Sequence, residues 1–165
     1  MSVDQPSQLA AVAERIHAEK TVPGLLSATA QGFGELLNAP ACTISRVIGD
    51  LLVDLIQHTQ TGKTDRLGHG YLISDYPLTR AVIEEREPRT VFAGDADADP
   101  SETQLLAELG FDSLLMVAIE AEDGAWGLVE VYGEKGQRFS DAQVALAREL
   151  AREVGERLRQ LERPA

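Results

Sequence analysis

The chain of 165 residues has a single cysteine, Cys42. One thiol closes no internal disulfide, so no covalent staple holds the fold. Aromatic residues make up only 5% of the sequence, which leaves Leu, Val, Ile and Ala to build the core. Cationic residues are also scarce: 15 Lys and Arg stand against 27 Asp and Glu, a formal charge of −12. Such a surface repels phosphate, which argues against nucleic acid or an anionic membrane as a direct partner. No run approaches the ~18 consecutive apolar residues of a membrane helix. The polar N-terminus lacks the basic-then-apolar pattern of a secretion signal. A cytoplasmic protein, or the soluble part of one, without membrane insertion is expected. Hydrophobic residues reach 44%, close to the globular norm, and the length suits one domain.

Periodicity divides that domain into helices at both ends with hairpins between. Leu9, Val12, Ala13 and Ile16 fall on one face of a helix spanning residues 7–20. Pro23 suits the first turn of a second helix, which runs to about Asn38 and buries Leu26, Ala30, Phe33 and Leu37. Gly32 and Gly34 lie inside it and predict close packing against a sheet. Residues 41–48 and 51–59 read as strands joined at Gly49-Asp50. A polar loop covers 60–70, then a short strand 71–74, a helix from Pro77 to about Arg86, and a short strand 89–92. Asp99, Pro100 and Glu102 predict a capping box opening a helix over 101–109. A hairpin of 113–120 and 125–132 precedes a long terminal helix. This order argues an antiparallel α+β layer fold.

Motifs that resemble chemistry fail on their own requirements. Thr61-Gly62-Lys63-Thr64 mimics the end of a phosphate-binding loop, but the earlier glycine that lets the backbone wrap a phosphate is Gln57. Asp95, Asp97 and Asp99 alternate as in a calcium loop, yet the required Gly and Glu positions hold Pro100 and Leu106. The histidines His17, His58 and His69 form no metal-ligand spacing. His17 is expected to be exposed. His69, flanked by glycines, is the one histidine placed to ligate haem or metal; no metal site is expected. Cys42 has no local base to activate it. No hydrolase elbow, zinc-protease or kinase motif is present.

Two charges interrupt apolar strands. Strand alternation puts Trp126, Leu128, Glu130 and Tyr132 on one face, and Arg46 on the face of Cys42 and Ile44. A charge there must be paired, exposed or bound to a ligand. An Arg46–Glu130 cross-strand pair is the favoured expectation, and a polar anchor in a ligand pocket is the other.

The hairpin SLLMVAIEAEDGAWGLVEVYG, the helix opening at Arg138-Phe139-Ser140-Asp141, the strand ACTISR, the segment YLISDYPLTR and the dipeptides Glu87-Pro88 and Gly110-Phe111 follow in a characteristic order. Together they resemble the GAF domain family, the sensory modules placed ahead of diguanylate cyclase, phosphohydrolase or kinase domains in bacterial signalling proteins. The likeness covers about 23–158 of a single domain, with an N-terminal helix at 1–20 and a signalling or dimerisation helix at 140–161. It implies a central antiparallel sheet with terminal helices on one face. On the other, short helices and loops enclose a pocket. Carried onto this chain, it makes Tyr71, Tyr76, Phe92, Phe111 and Met116 ligand-binding candidates, beside Arg46 and Glu130; core packing accounts for each of them equally well. The free methionine sulfoxide reductases of the family need several cysteines, and its bilin-binding members need a cysteine near a pocket histidine. The cyclic-nucleotide signature is absent. The cofactor stays unassigned.

In the terminal helix, Ser140 and Gln143 predict a capping box, and Phe139 a staple against Val144. Val144, Ala147, Ala151, Val154, Leu158 and Leu161 repeat at three- and four-residue spacing, a coiled-coil seam. The seam predicts a homodimer bundled with the first helix. The function expected is a non-catalytic regulatory sensor that binds a small molecule and signals to an output domain. The alternatives are a ligand-free dimerisation module with a collapsed pocket, a haem or metal sensor, and an enzyme that uses the pocket.

Overall fold

The computed structural model describes residues 5–60 and 68–163. The Thr61–Thr64 loop motif lies outside the described residues. Two helices, α1 (Gln5–Ala18) and α2 (Val22–Leu36), lead into strands β1 (Ala41–Ile48), β2 (Leu51–Thr59) and β3 (Gly70–Leu72). A 3₁₀ turn at Ile73–Asp75 and helix α3 (Pro77–Glu85) precede β4 (Arg89–Phe92) and α4 (Pro100–Leu109). The hairpin β5 (Ser113–Ala121) and β6 (Gly124–Gly133) then hands over to α5 (Asp141–Glu162). The strands form one antiparallel sheet in the order β3-β2-β1-β6-β5-β4.

Alternation along the central strands sorts side chains into two cores. One core joins α1, α2 and α5 to the sheet through Cys42, Ile44, Leu115, Val117, Val129 and Val131. The other lies across the sheet, where Leu114, Met116, Leu128 and Tyr132 meet Ile73, Val82 and Leu106 from the short helices and turn. The α+β architecture read from the sequence is therefore present, with the terminal helices on one face.

Local chemistry explains the boundaries. Ser140 accepts from the Gln143 N–H, and the Gln143 side chain accepts from the Ser140 N–H, a complete capping box for α5. Arg86 closes α3 in the left-handed region at φ 58°. Gly127 permits a close approach of β6 to β1: a Cβ there would sit 2.4 Å from the Ser45 carbonyl oxygen.

Several expectations are corrected. Gly32 meets α1 rather than the sheet, since a Cβ there would lie 2.5 Å from Val12 Cγ1. His17 is half-buried, with its Nε2 2.6 Å from Glu153 Oε2 on α5. Asp99 caps α4 by accepting from the Ser101 and Glu102 N–H groups, but Glu102 makes no return bond and turns into the protein. The face assigned to Trp126 is also wrong. Ile119 opposes Gly127 and Glu120 opposes Ala125, so Trp126 is an extra, bulged residue. The bulge sends Trp126 to the helix-side core, opposite Leu128 and Tyr132.

The seam residues of α5 do not form a free surface. Ala147, Ala151, Val154 and Leu158 are buried in the helix-side core, and Val144 and Leu161 pack against it. The face expected to meet a second protomer is used by α1, α2 and the sheet of the same chain. No helix among the described residues is long and apolar enough to cross a membrane.

Candidate functional site

Under the short helices, the sheet encloses a small cavity of about 20 Å³, on the scale of one or two waters. Its floor comes from Thr43 on β1, Asp54 and Gln57 on β2, and Glu130 and Tyr132 on β6. Tyr71, Ile73 and Tyr76 close one side, and Thr79 from α3 with Glu102, Leu105 and Leu109 from α4 close the roof. Register explains the floor: Thr43 opposes Gln57 on one side and Glu130 on the other.

Three of these residues are carboxylates, and all are buried: Asp54 is 6% exposed, Glu102 1% and Glu130 7%. Asp54 accepts a 2.7 Å bond from the Ser45 hydroxyl. Glu102 Oε1 accepts from the Thr79 hydroxyl at 2.5 Å. Glu130 Oε2 accepts from the Tyr132 hydroxyl at 3.0 Å. No Lys, Arg or His lines the cavity among the described residues.

Burial favours the protonated forms of Glu102 and Glu130, beside which no cation lines the cavity among the described residues. Burial, then the charges of Asp54 and Glu102, push the Glu130 carboxyl from 4.5 up to about 8, against the Tyr132 hydrogen bond. Burial likewise raises Glu102, with Asp99 adding to it and the Thr79 bond opposing. The Tyr132 phenol rises well above its ordinary value through burial and the neighbouring Glu130. Perturbed acids converging in one cavity mark a candidate functional site.

The sequence candidates separate cleanly. Tyr71, Tyr76 and Glu130 line the cavity. Met116 lies just behind the wall, with its sulfur 3.4 Å from the Thr79 hydroxyl. Phe111 is also behind it, stacked on Tyr132 with ring centroids 5.1 Å apart. Phe92 lies elsewhere, under the Arg138 guanidinium at 3.9 Å. Arg46 is not in the cavity and does not pair with Glu130. Its guanidinium stands 4.5 Å from the Trp126 ring centroid and donates to the Trp126 carbonyl at 2.6 Å. Register is the cause: Glu130 stands opposite Thr43 on the cavity face, whereas Arg46 shares the helix-side face of Cys42 and Ile44, where the bulged Trp126 offers it a ring and a carbonyl.

Asp54, Glu102, Thr79 and Tyr132 were missed, and two of them carried a signal. Asp54 shares a strand face with Leu52, and Glu102 precedes Leu106 by one helical turn, so both acids occupy apolar stripes. Cys42 belongs to the helix-side core, fully buried, and burial holds its thiol far above the ordinary range. His69 is exposed in the loop before β3, and its carbonyl accepts from the Asp54 N–H at 3.0 Å. Asp95 pairs with Arg138 at 2.7 Å and Asp99 caps α4, so the three alternating aspartates do not act as one site.

Comparison with known proteins places this geometry. The family model described as GAF domain matches residues 22–158. No curated protein matches the sequence. The chromophore-binding domain of the Stigmatella aurantiaca bacteriophytochrome superposes with a TM-score of 0.79 at 14% identity, over 93% of this chain and 59% of that one. The chromophore-binding domain of an unusual bacteriophytochrome from R. palustris gives 0.83 at 12% identity, over 94% of this chain and 60% of that one. A longer bacteriophytochrome chain from R. palustris gives 0.85 at 12% identity, over 98% of this chain and 39% of that one. This chain therefore spans about three fifths or less of the solved proteins it matches. At such identities the likeness concerns the fold.

Proposed function

The chain belongs to the GAF domain family, and from that premise we propose that it is a regulatory sensory domain whose ligand site is the carboxylate-lined cavity. The observation that carries this reading is the convergence of Asp54, Glu102 and Glu130 in one buried space. Such groups weaken a core and are retained where a site uses them. The role is regulatory rather than catalytic.

The central strands supply a route for output. On β6, Glu130 and Tyr132 face the cavity while Val129 and Val131 belong to the helix-side core across the sheet. On β5, Met116 backs the cavity wall while Leu115 and Val117 face the helices. A ligand that spreads the cavity must shift strands on which α5 rests. A signal leaving along α5 to an output domain follows from that contact. The phytochrome likeness extends this reading to small-molecule binding, but not to a covalent bilin. Cys42 lies on the wrong face, and the cavity lining contains neither Cys nor His among the described residues.

The small volume of the cavity favours a second reading, a ligand-free module, and a homodimer belongs to either. Its contact surface would lie outside the six seam residues, which the domain itself consumes. Native mass spectrometry of the full chain, incubated with a low-molecular-weight bacterial extract, separates the two. A discrete mass increment is expected for the sensor. A dimer that never carries an increment supports the ligand-free module.

A further inference from the structure

The cavity does not end at its inner wall. Tyr76 and Leu105 also line an outer cleft of about 200 Å³, completed by Asp75, Ser101, Gln104 and Glu108. The two side chains form a partition between a nearly filled inner space and a roomier outer one. Tyr76 is half-buried, and its ring meets Tyr71 edge-on at 6.0 Å. Tyr76 and Leu105 are thus the side chains that both spaces share.

The combined space has one electrostatic character. Asp54, Glu102 and Glu130 line its inner part, and Asp75 and Glu108 its outer part. No cationic side chain lines either part among the described residues. Two of the inner acids have unused capacity. Glu102 accepts from Thr79 through Oε1 alone, and Glu130 from Tyr132 through Oε2 alone. Their second oxygens have no hydrogen-bond partner, yet neither is sealed from space, since Ser113 Oγ is the one sealed and unpartnered side-chain atom among the described residues. Both atoms are reached by solvent, and both residues line the cavity. Both side chains are more than nine-tenths buried.

The spacing selects the kind of cation. Among the described residues, the only acidic or histidine group whose ligand atoms converge closely enough for one metal ion is His17, Glu153 and Glu156, far from this cavity. The three cavity acids together do not converge on one ion. Separated acceptors between tyrosine rings instead match a ligand with separated N–H donors on an apolar stem.

Resting on the reading of this cavity as a sensory site, we propose that its ligand is a small organic cation with two or more N–H donors, such as an aliphatic diamine or an amidinium compound. The inner nitrogen bonds the free oxygens of Glu102 and Glu130. The stem lies along Tyr71, Tyr76 and Tyr132, and the outer nitrogen reaches Asp75 and Glu108. Glu130 is held near neutral by burial and by the Asp54 and Glu102 charges, with Tyr132 bonded to it and Cys42 on the adjoining strand. Binding of a cation releases its proton, so affinity rises with pH between about 6 and 8.

Isothermal titration of the full chain at moderate salt, where surface attraction is screened, tests this with putrescine, agmatine and tetramethylammonium. Butanediol and succinate serve as neutral and anionic controls. The expected result is binding of putrescine or agmatine but of neither control. Affinity falls at least tenfold in Glu102→Gln and in Glu130→Gln, and less than twofold in the surface variant Glu149→Gln. A circular dichroism melt confirms that each variant is folded. Should one fail to fold, Tyr76→Ala supplies the readout, since loss of the partition changes the association rate. Binding of succinate or butanediol instead overturns the cationic class and leaves the cavity as a ligand site. Cation binding that survives both Gln variants overturns the assignment of the site. No heat from putrescine or agmatine, or heat from tetramethylammonium alone, overturns the proposal, and the extract experiment then decides separately whether the cavity senses anything.

Discussion

Replacing Glu130 with Gln removes a titrating proton from the cavity while keeping an acceptor for the Tyr132 hydroxyl. The folded chain holds the Glu130 proton up to about pH 8, whereas an ordinary carboxyl releases it near 4.5. Between those values the folded state binds more protons than the unfolded one, so wild-type stability falls as pH rises through this window. The contribution is intact below pH 4.5 and fully lost above about pH 8. Each pH unit is worth about 1.4 kcal/mol for one proton, which sets a ceiling of about 5 kcal/mol across the span. Local relaxation and water entry reduce that, and about 2–4 kcal/mol is the expected range.

Gln carries no such pH dependence. Urea denaturation of both proteins at pH 5.5 and 8.5, with free energies from linear extrapolation, reads the effect directly. The stability difference is expected to move in favour of Glu130→Gln by about 1–3 kcal/mol between the two pH values, since this window covers only part of the span. Parallel pH profiles would refute the reasoning. They would mean that Glu130 is ionised and solvated in the folded chain, and that the cavity is wetter than its geometry indicates.

Two substitutions test the packing. Leu158→Ala, at a seam position 1% exposed within its own chain, is expected to cost about 2–5 kcal/mol of unfolding free energy at protein concentrations where the chain is monomeric. Urea denaturation under those conditions showing unchanged stability would return the seam to an interface between protomers. Gly127→Ala places a methyl group 2.4 Å from the Ser45 carbonyl and forces β1 and β6 apart, at about 1–3 kcal/mol. A thermal melt within a degree of the parent would show that the strands separate without strain.

Much of the fold was legible because its signals are local. The turns Gly49-Asp50 and Asp123-Gly124, the alternation of β1 and β6, and the Ser140–Gln143 box each act within a few residues. The seam of α5 misled for a physical reason. A three-four repeat states that one helix face is covered, not by what, and a helix lying along α1, α2 and the sheet needs the same stripe as one facing a second chain. Arg46 misled because two charges on apolar strands suggested a pair, whereas the strand register sets Glu130 opposite Thr43 and Arg46 opposite Gly127, on opposite faces; Trp126 misled because alternation was extended through the bulge. Glu102 misled because its position suits a capping box, and that local explanation hid its place on the stripe that continues to Leu106 and Leu109.

Asp54, Glu102 and Glu130 make one point together. Taken singly, a carboxylate on an apolar stripe is an edge residue or a cap. Three of them come from β2, α4 and β6, elements far apart in the sequence, and the sheet order brings all three to one cavity. Apolar side chains of similar volume would make a more stable core. The charge balance of this space is therefore its adjustable quantity. Neutralising it changes the state of Glu130 on β6, whose neighbours Val129 and Val131 belong to the core on the other face, which α5 shares. A cavity whose protonation state is set by its contents, one strand away from the terminal helix, is suited to converting occupancy into a displacement of that helix.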